Sequence, residues 1–248
     1  MSPEAGRDQA SVLQRIRAAL AGRGPASAPS AEVVKTEDRV ERARRVRAEA
    51  FSRWGELLPR FGAELEAVGG SMHRAGEGEV AAVISQIASD RGLNRGVAWG
   101  EGALGVPGLL ARLTVEGLEL EETNSIGVSH SGKAEDLYGA PAWAAIGLTG
   151  VDYAIAASGT LVLQSGSGKN RLVSCLPAIH IAILRPGQLL ESLEEIGILL
   201  ETENTQVSPG GISRVVDFIT GPSRTADIEM SLTRGIHGPK EVHVIAVS

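Results

Sequence analysis

The sequence predicts an α/β fold with a mostly parallel sheet and helices on both of its faces. Hydrophobic residues make up 43% of the 248 residues and aromatic residues only 3%, so the core must consist mainly of aliphatic side chains, as is common in parallel-sheet proteins. Several short runs are mostly apolar, with no regular alternation of apolar and polar residues, which indicates strands buried on both faces. In the second half these runs alternate with segments of helical periodicity, as in parallel sheets.

Helical segments precede this alternation. The apolar residues of 7–21 recur with helical spacing, and residues 22–30 are rich in Gly, Pro and Ser, which predicts a helix followed by a flexible linker. Residues 36–68 again have a helical pattern that ends at a pair of glycines. We therefore expect an N-terminal helical arm and linker over residues 1–69 and an α/β domain over residues 70–248.

Helices and strands are expected to alternate through the α/β domain. The predicted helices have apolar residues at three- and four-residue spacing, and the predicted strands are apolar runs bounded by turn residues. In chain order these are helix 79–89, strands 96–99, 152–156, 161–164 and 179–184, helix 189–200, strand 215–219, helix 225–234 and strand 242–247. This alternation indicates one mostly parallel sheet.

Composition and charge exclude several classes of function. The single cysteine, Cys175, cannot form an internal disulfide and is too few ligands for an iron–sulfur cluster or a structural zinc, so we expect no cofactor and interpret Cys175 as a buried core residue. The net charge is −6, and the arginines between residues 39 and 53 alternate with acidic residues as on a solvated helix face, so no nucleic-acid partner is expected. No apolar stretch approaches the roughly 20 residues that cross a bilayer, so we expect no membrane span and a cytoplasmic location.

The loop 220–225 carries the residues best suited to bind an anion. It follows predicted strand 215–219 and precedes predicted helix 225–234, and ligands of open α/β sheets bind where strands end and helices begin. A glycine permits close backbone approach, two hydroxyls can donate, and a planar guanidinium fits a carboxylate or phosphate. These groups belong to Gly221, Ser223, Thr225 and Arg224.

An alternative interpretation of this loop is helix capping. Ser223 or Thr225 would cap the predicted helix, and Asp227 and Glu229 would lie near its positive end. Arg224 favours the anion site, because capping does not require an arginine there. The two roles are compatible.

A second loop, residues 166–171, is rich in glycine and basic residues but matches neither nucleotide-binding pattern. Leu163 and Asn170 occupy positions where a P-loop needs Gly and Ser or Thr. Arg171 stands at the third glycine position of GxGxxG. A tight solvent-facing turn is therefore preferred to a nucleotide site.

Two histidines are candidates for a functional role. His180 lies in an apolar run and either sits in the core with a hydrogen-bond partner or points from a strand end into a site. His237 lies in a loop of glycines and a proline, where its imidazole is either an acid, base or ligand or an inert surface group. The histidines show no HxH or HExxH spacing, so no metal is expected.

These segments, in their order along the chain, resemble the LUD domain family of the lactate-utilisation protein C type. The resemblance covers about residues 70–248 and rests on segments 152–163, Arg171, 176–180, 219–229 and 235–239. The run from 219 to 239 is its most specific part.

The resemblance implies a three-layer α/β/α sandwich with a Rossmann-like sheet, similar to the sugar-phosphate isomerase and CoA-transferase superfamily. It also implies an accessory role beside iron–sulfur partner subunits that oxidise lactate to pyruvate, with a small carboxylate or phosphate as ligand; a homo-oligomer is compatible with this role. The alternative is a stand-alone enzyme of the isomerase or CoA-transferase type that acts on a phosphorylated, CoA-like or folate-like anion.

The expected site residues combine the loops with this resemblance. As catalytic residues we expect His237, Glu229 and Asp227. As ligand-binding residues we expect Gly159, Thr160, Arg171, His180, Gly221, Ser223, Arg224, Thr225 and Gly238. One departure from the family pattern is Ala157, since the resemblance implies a glutamate there in a Glu-Thr-Gly-Thr turn. Without this carboxylate, CoA-transferase-like chemistry would require Asp227 or Glu229 to take its place.

Overall fold

The computed structural model describes residues 36–122, 144–166, 168–205, 215–226, 232–234 and 238–248. Contacts between Cα atoms divide the chain into two units, Met1–Arg39 and Val40–Ser248, and all of the described strands belong to the second. The helix predicted at 7–21 and its linker lie outside the described residues.

Helices and strands alternate through this unit, with two helices at its start. The helices are α1 (Thr36–Ser52), α2 (Trp54–Ala67), α3 (Val80–Ser89), α4 (Glu101–Leu104), α5 (Leu109–Val115), α6 (Leu172–Cys175) and α7 (Leu193–Thr205). The strands are β1 (Ser71–Ala75), β2 (Arg95–Ala98), β3 (Glu119–Glu122), β4 (Ile146–Gly150), β5 (Tyr153–Ile155), β6 (Thr160–Gln164), β7 (Ile179–Leu184), β8 (Leu189–Leu190), β9 (Val216–Ile219), β10 (Arg224–Ala226), β11 (Leu232–Arg234) and β12 (Glu241–Val247). Within the described part of the chain, no helix is long and apolar enough to span a lipid bilayer.

Six strands form a parallel sheet in the order β1-β12-β7-β4-β2-β3. The inner strand β7 is buried at all of its positions, as its continuous apolar run predicts. Helices α2 and α6 contact β1 and β4, and helices α4 and α5 contact β4 and β3. The predicted α/β fold with a parallel sheet and flanking helices is confirmed.

A second, mixed sheet has the order β8-β5-β6-β9, and it corrects the expectation of one sheet. Strands β5, β6 and β9 were assigned by their apolar runs to the parallel sheet, yet β6 pairs antiparallel with both β5 and β9. The reason is connection length. Only the short turn 156–159 joins β5 to β6, whereas a parallel crossover needs a dozen residues or more.

The predicted helix 225–234 is wrong. Its described ends form an antiparallel pair, β10 with β11, in which Thr225 lies opposite Thr233; residues 227–231 lie outside the description. Threonine is β-branched and favours strands, and pairing with a partner strand overrides a weak helical pattern. The predicted helix 189–200 also begins later, at Leu193, because Leu189 and Leu190 pair with β5 as strand β8.

The core consists of two apolar clusters. The larger one surrounds the parallel sheet and includes Phe61 and Leu65 of α2. The smaller one joins α1 to the mixed sheet through residues such as Val46 and Tyr153. Helices α1 and α2 thus pack on the body, while a boundary between arm and domain at residue 69 stays a prediction.

Candidate functional site

The loop of residues 220–224, called the signature loop below, lies beside the amino-terminal end of the parallel sheet. The backbone N–H of Ser223 donates a 2.9 Å hydrogen bond to the carbonyl of Pro239, which precedes β12. Strand β9, which leads into the loop, belongs to the mixed sheet. The expectation that this loop follows the carboxyl end of a parallel strand is therefore wrong.

Two predicted glycines pack against the last turn of α2. Gly159 has φ +62°, and a Cβ on it would lie 2.3 Å from the backbone nitrogen of Leu65. Gly221 has φ +79°, and its Cβ would lie 2.8 Å from the carbonyl oxygen of Val68. Both positions require glycine, because side chains rarely adopt this conformation and none would fit. The turn before β6 and the signature loop therefore meet at one helix end.

Arg224 has a structural contact at the same place. Its Nη2 donates a hydrogen bond to the carbonyl oxygen of Val68, which follows the end of α2. A cation there satisfies an otherwise orphan carbonyl and complements the negative end of the helix dipole. Arg224 thus caps a helix that precedes it by many residues, a role that the sequence alone did not reveal.

A cleft of about 550 Å³ opens where the two loops and α7 approach one another. We call it the hydroxyl cleft, because four of its lining residues carry side-chain hydroxyls. Its lining consists of Ile155, Ala157, Ser158, Thr160, Ser192, Leu193, Phe218 and Thr220. Concave, largely apolar clefts with a few polar groups are the usual form of small-molecule sites.

Three of the hydroxyls form a chain along the cleft. Ser158 Oγ lies 2.7 Å from Thr160 Oγ1, which lies 2.8 Å from Thr220 Oγ1. Thr160 is buried and Thr220 is exposed, so the chain runs from the turn before β6 to the start of the signature loop. This brings Gly159, Thr160 and Gly221 into one neighbourhood.

Comparison with known proteins decides the family. A family model described as the LUD domain matches residues 58–247. The chain belongs to the LUD domain family. The expected resemblance is confirmed.

Several relatives carry the name Lactate utilization protein C. Those from Halalkalibacterium halodurans and Geobacillus sp. are 42% and 40% identical to this LUD chain over 41% and 42% of its length. These alignments span 44% and 42% of the relatives, less than half of each. A relative from Macrococcus caseolyticus is 31% identical over 66% of both chains.

A solved structure supports the fold of this LUD domain. The crystal structure of a DUF162 family protein from Deinococcus radiodurans has a TM-score of 0.54 and 20% sequence identity. The match covers 78% of this chain and 98% of that one. At this identity the likeness supports the fold alone.

Ala157, the position at which the resemblance led us to expect a glutamate, lies in the cleft itself. It is one of the lining residues, and none of the described lining residues is charged. At the rim, Ser192 Oγ donates a 3.3 Å hydrogen bond to the carboxylate of Glu194. The described lining therefore offers hydroxyls and apolar surface, with no carboxylate nucleophile.

Two further predicted ligand residues have different surroundings. Gly238 adjoins the signature loop, since its Cβ would lie 3.1 Å from that of Ser223. Arg171 is away from the cleft lining and forms a 2.8 Å ion pair with Asp217 of β9. Among the described residues, Gly238 therefore lies next to the signature loop, whereas Arg171 is engaged in the ion pair with Asp217.

His180 is buried in the parallel sheet. It is fully inaccessible, and its Nε2 lies 2.8 Å from Oγ1 of Thr149, which is equally buried. Burial, and to a lesser degree His243, lowers the pKa of His180 to about 4, so the imidazole is neutral. Of the two interpretations left open by the sequence, the core histidine with a hydrogen-bond partner agrees with this geometry.

Most of the remaining predicted site residues are not among the residues that the structure describes. The three catalytic candidates, Asp227, Glu229 and His237, are outside the described residues. The backbone of Thr225 belongs to β10, and its side chain is outside the description. Their roles stay predictions.

The second glycine-rich loop, and not the signature loop, covers the carboxyl ends of parallel strands. The N–H of Gly100, beyond β2, donates to the carbonyl of Gly168 at 2.9 Å. Lys169 forms an ion pair with Asp152, beyond β4, and its Nζ lies 5.5 Å from the centre of the Trp99 ring. The expected tight turn is present, closed by hydrogen bonds between the backbones of Gly166 and Lys169, and the loop also packs on the carboxyl ends of these strands.

A histidine pair that sequence spacing did not suggest links β1 to β12. Nε2 of His73 lies 3.0 Å from Nδ1 of His243, and Nε2 of His243 lies 3.0 Å from Glu241 Oε2. Arg91 pairs with the same carboxylate and lowers the pKa of Glu241. Burial lowers the pKa of both histidines.

The cysteine and the possible metal ligands add nothing to the site. Cys175 is half-buried rather than buried, and its Sγ lies 3.7 Å from Ser174 Oγ. Among the described residues, no group of three or more His, Cys, Asp or Glu side chains is arranged to hold a metal ion.

Proposed function

We propose that this LUD chain is a non-redox subunit that acts with iron–sulfur partner proteins in the oxidation of lactate to pyruvate. Its similarity to relatives named Lactate utilization protein C supports a role in lactate utilisation. Its single cysteine supports the division of labour, because a cluster needs several thiolate ligands. Electrons would therefore pass through clusters of the partners.

The observation that carries this proposal is the neutral lining of the hydroxyl cleft. Enzymes that transfer an acyl group or CoA through a covalent intermediate need a carboxylate nucleophile, or another nucleophile that a neighbouring base activates. In this cleft the expected glutamate is absent, because Ala157 has only a methyl group as its side chain. Hydroxyls without such a base bind ligands well and attack them poorly. The cleft therefore favours a binding role over a stand-alone transferase.

A small carboxylate or phosphate ligand is proposed at the signature loop. A guanidinium has five N–H donors in a planar fork, and the carbonyl of Val68 accepts from Nη2 of Arg224. Arg224 is exposed and can present its outer edge to an anion while it caps α2. Ser223 lies in the same loop.

The test is genetic and biochemical. Deletion of the gene should abolish growth on lactate, and the tagged chain should co-purify with proteins that carry iron and acid-labile sulfide. Cys175→Ser is the matched control: it should restore growth and retain the bound iron, because the clusters belong to partners. Normal growth of the deletion strain on lactate, together with purification of the chain free of iron–sulfur proteins, would refute the proposal.

A further inference from the structure

The hydroxyl cleft has the chemistry of a site for an uncharged ligand. Its described lining residues are all neutral, and the carboxylate of Glu194 lies at its rim through Ser192. A carboxylate or phosphate in the cleft would lose hydration without gaining a cation, and it would meet a like charge. The cleft therefore disfavours the anion that we propose for the signature loop.

The walls of the cleft suit a flat apolar body. Phe218 is 47% exposed and Leu193 is 60% exposed, and both line the cleft together with buried Ile155. Large apolar side chains exposed around a cavity mark binding surfaces. An aromatic ring such as that of Phe218 adds offset stacking with a planar partner.

The hydroxyl chain specifies oxygen acceptors on that body. Ser158, Thr160 and Thr220 together have three O–H donors, and the two hydrogen bonds between them use two. One O–H therefore remains for an acceptor outside the chain. A carbonyl oxygen on an uncharged ring supplies such an acceptor without bringing a charge into the cleft.

We propose that the hydroxyl cleft binds a quinone: a flat, uncharged ring with carbonyl oxygens, seated between Phe218 and Leu193 and hydrogen-bonded to the Thr160 chain. This assignment rests on the proposed function. Oxidation of lactate to pyruvate releases two electrons and two protons, and a quinone that takes up both becomes a quinol. The chain holds the acceptor, and the partners' clusters carry the electrons to it.

The test uses the full chain without partners and duroquinone as the probe. Every ring position of duroquinone is substituted, and the Cys175→Ser background removes the thiol that quinones alkylate. Duroquinone should raise Tm and bind saturably, because a ligand of the native state stabilises it. Phe218→Ala should raise Kd by about tenfold; Phe51→Ala, which is 68% exposed and away from the described lining, should leave Kd unchanged.

A second comparison isolates the hydroxyl chain. Durene has the ring and methyl groups of duroquinone without its oxygens, so Thr160→Val should weaken duroquinone binding and leave durene binding unchanged. Lactate and phosphate should not compete with duroquinone. No saturable binding of duroquinone, or equal binding by the Phe218→Ala and Phe51→Ala variants, overturns the proposal. Such a failure leaves the co-purification of iron–sulfur partners untouched, so the two proposals fail separately.

Discussion

The two sheets differ in where the hydrogen bonds of their buried threonines lead. In the parallel sheet, Thr149 and His180 are both fully buried and hydrogen-bonded to each other. In the mixed sheet, the hydroxyl of Thr160 continues through exposed Thr220 to the edge of a cleft. Buried polar side chains that hydrogen-bond to each other help to define one arrangement of the core, whereas polar groups that line a cleft can bind a ligand. We therefore interpret the parallel sheet as the framework and propose the mixed sheet as the binding surface. The following changes test this division.

The largest effect is expected from Gly147→Ala in the parallel sheet. The added Cβ would lie 1.9 Å from the carbonyl oxygen of Val173, so α6 would have to move away from the sheet. We expect a loss of about 3 kcal/mol or more of unfolding free energy in urea titrations. Gly166→Ala, which meets nothing within 4 Å, is the control and should change stability by less than about 0.5 kcal/mol. Equal effects at both glycines would contradict the close packing of α6 on the parallel sheet.

Acid should destabilise the protein through the parallel sheet. The pKa of His180 is about 4 in the native state and about 6.5 in an unfolded chain. Because the unfolded chain binds the proton first, the stabilisation is complete above about pH 6.5 and is lost as the pH falls towards 4, by on the order of 3 kcal/mol. The lowered pKa values of His73 and His243 act in the same direction.

Urea titrations across this pH range measure the acid effect, and His180→Gln should flatten the profile. An NMR titration of the His180 ring on the unmodified protein reports its pKa directly. A value near 6.5 would remove His180 as the cause, whatever the stability of the variant.

One substitution made in each sheet compares them directly. Thr149→Val leaves the buried Nε2 of His180 without its partner and should cost about 2 kcal/mol. Thr160→Val removes a hydroxyl whose neighbours, Ser158 and Thr220, can turn to each other or to water, so about 1 kcal/mol or less is expected. Thermal unfolding of both variants gives the order, and a reversed order would place the more rigid polar network in the mixed sheet.

The smallest effect is expected from Arg224→Ala. Loss of the cap on Val68 should cost about 0.5 kcal/mol, the usual value of an exposed cation at a helix end. Arg224→Lys should retain most of this stability and lose the planar fork that fits an anion. If binding of phosphate, followed by calorimetry, is the same in both variants and in the unmodified chain, the anion site lies elsewhere.

The framework was largely predictable because its signals are local. The apolar run of β7 and the helical spacing of apolar residues in α3 predicted the bounds of both elements to within one residue. A strand buried on both faces gives a continuous apolar run, whereas a helix buried on one face gives apolar residues every three or four positions. The mixed sheet gives apolar runs of the same kind, so sequence could not assign β5, β6 and β9 to a separate sheet. The length of the turn before β6 was the available signal.

The site was predictable only in part because its contacts are distant along the chain. Gly221 was predicted from the composition of its loop, and Gly159 and Thr160 were predicted from the family resemblance. The structure brings the three together. The cleft itself could not be predicted, since its lining comes from three separate segments. The contact between His73 and His243, 170 residues apart, likewise depends on the β1 and β12 pairing, which periodicity does not encode.

The pairing of β1 with β12 has a consequence for how the protein must be made. Within the described sheet, β1 hydrogen-bonds only to β12. During synthesis β1 therefore cannot pair until almost the whole chain has left the ribosome. Contacts of such long sequence separation slow folding. A chain that stops before Glu241 would leave β1 without a neighbour and β7 with a bare apolar edge, and unpaired edges of this kind recruit other chains. Shortened products should therefore aggregate rather than persist as smaller folded domains.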